Sequence, residues 1–430
     1  MFHAPARPRM NGRALSGNRR LRFAMFGVLY AAQGIPDAMV LIVFPAFLAA
    51  HGASASVIGA FLAAAMLPNA AKLIVGPLID RIAFLPMGRR KPWLIAGQIG
   101  IAASFAALAW LDEPVKHVGL FTAGAFAITL ATVFQDVATD ATAMDLIPPG
   151  EQGRANGIMW GAKTLGTALA ASVGAWIMMA FGFAAMVTTA AIILLAVVGL
   201  VTMVRERPGE RLLPWTQGAA VIDAGADRSG SWLAILRLLL AALRRPAAGR
   251  LVLLSLAIGL LVGMTGALAP VLIVGQLDWA QADYAQFRSM LKLVSGVGGM
   301  VVGSYVIDRM GHRRVLVATL MAIAIANLLL LAFMGQAGAI TYFVAYEMLL
   351  VFTFITFFAA TMSQCSSAIA ATQFSFTMVC GNITMSLGAA LMGPIMAAGG
   401  TGAMLIAIAG GALVGAGVMR GWQPQPARGD

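Results

Sequence analysis

Apolar residues in this chain do not recur with the period of an amphipathic strand or a surface helix. They run on continuously and are interrupted by short connections rich in Arg, Gly, Pro and Asp. About 20 apolar residues are needed for a helix to cross a hydrocarbon core, so each long run predicts a membrane-spanning helix. Twelve runs meet that length: 23–49, 57–79, 92–111, 118–139, 155–180 and 183–204, then 251–274, 287–307, 315–334, 340–362, 367–397 and 402–419. The first and eleventh are long enough to tilt or break. The run from Phe23 exceeds the h-region of a signal peptide and lacks a small-residue cleavage site after it, so no leader is expected.

Composition closes off the alternatives. Of 430 residues, 60% are hydrophobic and 11% charged, with a mean hydropathy of +0.86. Soluble domains carry about 25% charged residues, so soluble enzymes, disordered chains and disulfide scaffolds are excluded. The net charge of +12 has a topological origin, because Lys and Arg collect in cytoplasmic connections. Arg7, Arg9, Arg13, Arg19, Arg20 and Arg22 precede the first run. Arg81, Arg89, Arg90 and Lys91 follow the second run, and Arg309, Arg313 and Arg314 follow the eighth. Eight more Arg lie in the long connection 205–250, whereas the connections on the opposite side hold only Lys116. Both termini are therefore expected in the cytoplasm of a multi-pass inner-membrane protein, with no nucleic-acid partner. Cys365 and Cys380 form no metal or disulfide pattern, and no nucleophile–base set or Walker loop is present. No cofactor, metal, catalysis or ATP-driven pumping is expected.

The connection 205–250 divides the chain into two six-helix halves, 23–204 and 251–419, with a basic arm (1–22) and a short tail (420–430). Its first part, with Pro208 and Pro214, reads as a flexible linker. Residues 232–243, with Arg237 inside them and Arg244 and Arg245 just after, read as an amphipathic helix on the anionic leaflet.

Both halves carry one motif after their second run: Gly76…Asp80-Arg81 then Gly88-Arg89-Arg90-Lys91, and Ser304…Asp308-Arg309 then Gly311-His312-Arg313-Arg314. Internal symmetry of this kind marks secondary transporters with a site between the halves. An acid at a helix end can pair with a base or with the N-terminus of a helix from the other half, which makes a latch with two positions. The pattern resembles the loop signature of the major facilitator superfamily, with Ser304 in place of the usual leading Gly. Tyr30-Ala-Ala-Gln33-Gly34-Ile35-Pro36, the long Asp80…Lys91-Pro92-Trp93-Leu94 form and Gln135-Asp136-Val137-Ala138-Thr139-Asp140 together resemble the AmpG-type permeases. That group includes acetyl-CoA transporters and siderophore importers of the RhtX/FptX kind. The resemblance is strongest over about the first 170 residues. It implies an all-α fold of twelve transmembrane helices in two pseudo-symmetric halves, acting as a monomer. AmpG-type members are usually longer, with extra spans between the halves.

Charges inside a bilayer are costly and default to function. Asp37, Lys72, Asp136, Lys163, Arg288, Lys292 and Glu347 fall on runs 1, 2, 4, 5, 8 and 10. Runs 3, 6, 9 and 12 contain none, and these are the four that the resemblance places against lipid. Gln33 and Asp37 share one face of the first run around Pro36. They read as cavity contacts, unless Asp37 only satisfies backbone freed by the bend. Asp136 and Asp140 also share a face, and with Lys72 and Lys163 they form an ion cluster open to three readings: structural, gating or proton relay. If Lys292 pairs with Glu347, Arg288 is left to attract an anion; otherwise Arg288 snorkels outward. Gln364, Gln373 and Asn382 add neutral hydrogen bonds. The expectation is proton-coupled import of a small anionic organic solute, siderophore- or muropeptide-like, by alternating access. An exporter and a non-transporting assembly factor of the same fold are the rivals.

Overall fold

The computed structural model describes residues 14–51, 55–82, 84–219, 231–279 and 281–424; the side chains of Ser304 and Asp308 lie outside the described set. Arg7, Arg9, Arg13 and the end of the tail also fall outside it. The apolar runs become helices because lipid offers backbone N–H and C=O groups no partner, and a helix satisfies them internally.

The first half comprises α1 (Arg19–Ala38), α2 (Phe44–Ala50), α3 (Ala55–Met66), α4 (Lys72–Arg81), α5 (Lys91–Leu108), α6 (Val118–Leu146), α7 (Gln152–Phe181) and α8 (Phe183–Thr202). After α9 (Trp232–Leu243), the second half comprises α10 (Pro246–Pro270), α11 (Gln281–Gly298), α12 (Ser304–Met310), α13 (His312–Ala332), α14 (Gln336–Gln364), α15 (Ala370–Ala390) and α16 (Met392–Arg420). Among the described residues, ten helical spans are long and apolar enough to cross a membrane. Helices α5 and α15 pack against them within the two halves.

The runs break where the backbone must. Pro36 lies inside α1, which passes at Met39–Val43 into a π turn before α2. Proline offers no N–H and crowds the preceding turn. The same device recurs in the second half, where α10 ends at Pro270 and a π turn follows at Val271–Gln276. The second spans break as well, at Leu67–Ala71 between α3 and α4 and at Gly299–Gly303 between α11 and α12. The internal repeat is thus written in the backbone. The eleventh and twelfth runs are separated by a kink at Gly399 and Gly400, the latter at φ 62°.

Two expectations need adjusting. The first helix starts at Arg19 rather than at residue 23, capped by Asn18 Oδ1, which accepts from the Leu21 N–H at 3.1 Å. The basic residues therefore form its first turn. Residues 205–219 are no free linker, because they fold back onto the motif loop: Arg211 N–H donates to Pro86 O at 2.6 Å. The arm joins them, with the Leu15 N–H donating to Arg205 O at 2.9 Å. By contrast, 232–243 is helical as read, with Ile235, Leu239 and Ala242 buried against Ile369. The rest of that connection, 220–230, lies outside the described residues.

Each half is drawn together by a glycine-lined crossing, α1 on α7 and α10 on α15. A methyl group at Gly34 would strike the α7 backbone, and one at Gly263 would strike the Met385 carbonyl. The halves meet through α4 on α15, and through α7 on α11, α12 and α14. Trp160 stacks on Phe354 across this seam, with ring centroids 5.6 Å apart. It is α4, the end of the second span nearer the motif, that meets α15, so the halves converge on the motif side.

Candidate functional site

The first motif loop is bound into the body of the protein. Asp80 ends α4 with its carboxylate against the N-terminus of α15, from the other half. Asp80 Oδ2 accepts from the Thr372 N–H and hydroxyl, each at 2.7 Å. Asp80 Oδ1 accepts from the Ala371 N–H at 3.3 Å and pairs with Arg90 Nη2 at 2.8 Å. Both side chains of that pair are 0% exposed. Gly76 makes the approach possible, since a Cβ there would lie 3.0 Å from Ala371 O. Arg90 also pairs with Asp145 at 2.9 Å. Arg89 crosses between the halves and donates to Ser367 O at 2.7 Å and to Ala368 O at 2.9 Å.

A second acid completes the loop. Gly88, at φ 101°, turns the chain so that three successive N–H groups face one carboxylate. Glu206 accepts from the N–H of Arg89 at 2.9 Å, Arg90 at 2.8 Å and Lys91 at 2.5 Å. In return, Lys91 Nζ donates to Val204 O and Leu212 O, each at 2.7 Å. Burial pushes the Glu206 carboxyl up, against the pull of these N–H groups. Glu210 is pushed up to about 7 by burial and then by Glu206 beside it.

Deeper in the bundle lie the membrane-embedded charges. Lys72 pairs with Asp136 at 2.6 Å, and Lys163 with Asp37 at 3.0 Å. Lys163 and Asp37 keep 29% and 32% of their side-chain surface accessible. The Tyr30 hydroxyl donates to Asp140, four residues from Asp136 on the same helix. The Lys163 pair lies beside the seam, where Gly296 of α11 packs on Thr164. In the second half Arg288 pairs with Glu347 at 3.2 Å and sits 5.9 Å from the centre of the Phe343 ring.

The structure thus brings Asp37, Lys72, Asp136, Asp140 and Lys163 into one neighbourhood, joined by Tyr30. The second half exchanges the partner considered for Glu347. Arg288 takes it, and Lys292 stays exposed without an ion pair among the described residues. Arg288 and Lys292 lie one helical turn apart on α11, so spacing alone offers Glu347 either partner. Gln33 is 1% exposed, and among the described residues neither of its amide atoms has a hydrogen-bond partner. Gln373 tethers the turn between α14 and α15, accepting from the Ser366 N–H and donating to Gln364 O, each at 3.1 Å. In the second motif Arg309 lies 4.4 Å from the Tyr305 ring centre, and Gly311 takes φ 78°. Arg81 lies over the Trp232 ring at 5.0 Å. Sequence reasoning missed Tyr30, Asp145 and Glu206. Tyr30 was legible, since it precedes Gln33 and Asp37 by one and two helical turns; the two acids were not, because their partners are distant in sequence.

Comparison with known proteins follows the same lines. A family model described as Major Facilitator Superfamily matches residues 26–389. The anhydromuropeptide permease of Escherichia coli K12 is 27% identical over 224 residues, 51% of this chain and 45% of that protein. This chain thus spans about half the length of the curated relatives it matches. Among solved structures, the human organic anion transporter MFSD10 (TETRAN) superposes with a TM-score of 0.71 at 15% identity, over 93% of this chain and 99% of that one. The major facilitator transporter FucP in its outward conformation gives a TM-score of 0.67 at 16% identity, over 93% and 98%. At such identities these two speak for the fold alone.

Proposed function

This chain belongs to the major facilitator superfamily of multi-pass membrane transporters, and on that premise we propose that it imports a small anionic organic solute together with protons across the inner membrane. Helices α5 and α15 complete twelve spans, with both termini cytoplasmic, and the protein works as a monomer. The observation that carries the reading is the set of paired, partly accessible charges inside the apolar bundle: Lys163–Asp37, Lys72–Asp136 and Arg288–Glu347. A protein serving only as a membrane assembly factor has no use for such a costly set.

In this mechanism the first half handles protons and the second handles charge on the cargo. Protonation of Asp37 or Asp136 frees its lysine partner. Arg288, lent to Glu347 while the site is empty, turns to the incoming anion. The latch of Asp80 on the N-terminus of α15 is closed here, so the site opens on the side away from the motif, and alternating access requires this latch to part. Similarity to the anhydromuropeptide permease, and to the siderophore importers of the same group, supports a muropeptide-like or siderophore cargo.

Proteoliposomes with an imposed pH gradient test the reading, using labelled anhydro-muropeptides, acetyl-CoA and ferric siderophores as cargo. Gradient-driven uptake of one class is expected, and Asp37→Asn should abolish it while the protein still melts cooperatively in detergent. Arg288→Gln should raise KM about tenfold, the scale of one charge-assisted hydrogen bond. Uptake that ignores both the gradient and Asp37→Asn would overturn the mechanism. Accumulation of none of these solutes would favour the assembly role.

A further inference from the structure

The two motif loops are copies in sequence and in backbone, yet they are finished differently. Gly88 and Gly311 both take positive φ, 101° and 78°, and α5 and α13 begin just after them. Above Gly88 the space is occupied: a Cβ there would lie 2.6 Å from the Glu206 carboxylate. That acid comes from the segment after the last helix of its half. Above Gly311 nothing among the described residues lies within 4 Å of the same position. The end of α16 and the residues after it bring Arg420, Trp422 and Pro424 to this place instead of an acid, and a cavity of about 650 Å³ remains.

The chemistry of that cavity is one-sided. Its lining includes His312, Arg313, Arg314 and Arg420 and, among the described residues, contains no carboxylate. The three arginines are exposed, and none makes an ion pair among the described residues. Trp422 gives the cavity a fixed wall, since it is 1% exposed and its Nε1–H donates to Ala247 O at 3.1 Å. In the first half, the N–H groups of Arg89, Arg90 and Lys91 converge on an anion supplied by the chain. We infer that the cavity beside His312, Arg313 and Arg314 is a binding site for a phosphate group, which takes the place that Glu206 fills in the first half. The phosphate belongs to an anionic phospholipid headgroup or to a soluble phosphate. Guanidinium groups match its oxygens in pairs, and basic pockets between helix ends suit such headgroups.

The test is thermal melting of the full chain in nonionic detergent at fixed ionic strength, titrated separately with cardiolipin, phosphatidylglycerol and inorganic phosphate. A saturable rise in Tm is expected with at least one of them. Saturation with lipid alone assigns the headgroup, and saturation with inorganic phosphate as well assigns a soluble ligand. The triple variant Arg313→Gln/Arg314→Gln/Arg420→Gln should bind on the order of 100-fold more weakly, each basic group contributing about fivefold. The exposed Lys116→Gln, in the connection between α5 and α6, should bind as the parent does. If the triple variant does not fold, Arg420→Gln alone gives the same comparison at about fivefold. Binding unchanged in these cavity variants, or no saturable shift with any probe, would overturn the site.

Discussion

The two halves share a backbone plan but not an electrostatic one. In the first, nearly every charge is answered by the protein itself: Asp80 and Asp145 hold Arg90, Glu206 caps α5, and Lys72, Asp136, Lys163 and Asp37 form two ion pairs. In the second, one pair, Arg288 with Glu347, stands beside an exposed Lys292 and an open arginine cavity. The difference separates what a repeat inherits from what it can change. Gly88 and Gly311 keep the turn because the geometry of the fold demands it, whereas the acids that fill the space above the turn are free to be lost. A half that pairs its own charges leaves few of them for a ligand; one that does not leaves them open to what binds.

The sharpest way to break this comparison is to neutralise the same motif position in both halves. Arg90→Gln removes the guanidinium that Asp80 and Asp145 share, in a site where Arg90 and Asp80 have no exposure and Asp145 is 9% exposed. Loss of one partner of a buried ion pair costs about 3–5 kcal/mol, and detergent melting should show it as a large drop in Tm. Arg313→Gln, at the matching position in the second copy, removes an exposed and unpaired charge. Without added phosphate it should change stability by about 0.5 kcal/mol or less. Equal effects would show that Arg313 has a protein partner equivalent to Asp80 and Asp145.

A smaller effect is expected deeper in the bundle. Lys72→Met leaves Asp136 unpaired at the end of a 2.6 Å contact. The double variant Lys72→Met/Asp136→Leu should recover part of the loss, with a coupling of about 1–3 kcal/mol in a double-mutant cycle. Lys292→Met has no partner to abandon and should leave melting within about 0.5 kcal/mol. A coupling near zero for the first pair would mean that water already screens it, and that its two charges act separately.

Much of the fold was legible because lipid makes the code simple: long apolar runs must be helices, and a motif repeated at matching places must mark two halves. The intramembrane charges were legible for the same reason, since each is expensive. Partner choice was not. Arg288 and Lys292 lie one turn apart, and only the direction of each side chain decides which meets Glu347. Gln33 lies on the expected helix, but the crossing at Gly34 buries it. Glu206 looked like part of a polar linker, because a sequence does not show that a chain will turn back over a distance of more than 100 residues to cap a helix begun at Lys91. The Gly76 role was half legible: the motif placed a glycine there, and the structure adds that α15 of the other half needs the room.

The smallest effect concerns pH and again sets the first half against the second. Glu210 is buried, and its Oε2 accepts the Arg207 N–H at 2.8 Å beside Glu206. Its carboxyl is raised from 4.5 to about 7 in the folded protein. Between those values the folded chain holds a proton that the unfolded chain has released, so stability falls as pH rises. The contribution is fully present below the unfolded value and is lost as pH passes through about 7. Glu206, raised by burial, shifts in the same direction. Tm should therefore decline between pH 5 and 7.5 in the parent protein. It should decline less in Glu210→Gln, whose amide oxygen still accepts from Arg207 but cannot ionise. Among the described residues no acid lies above Gly311, so the slope that remains in that variant is assigned to Glu206 and to groups outside the two loops. An identical slope in parent and variant would place the pH sensitivity elsewhere and leave the cap of the first half as a purely structural closure.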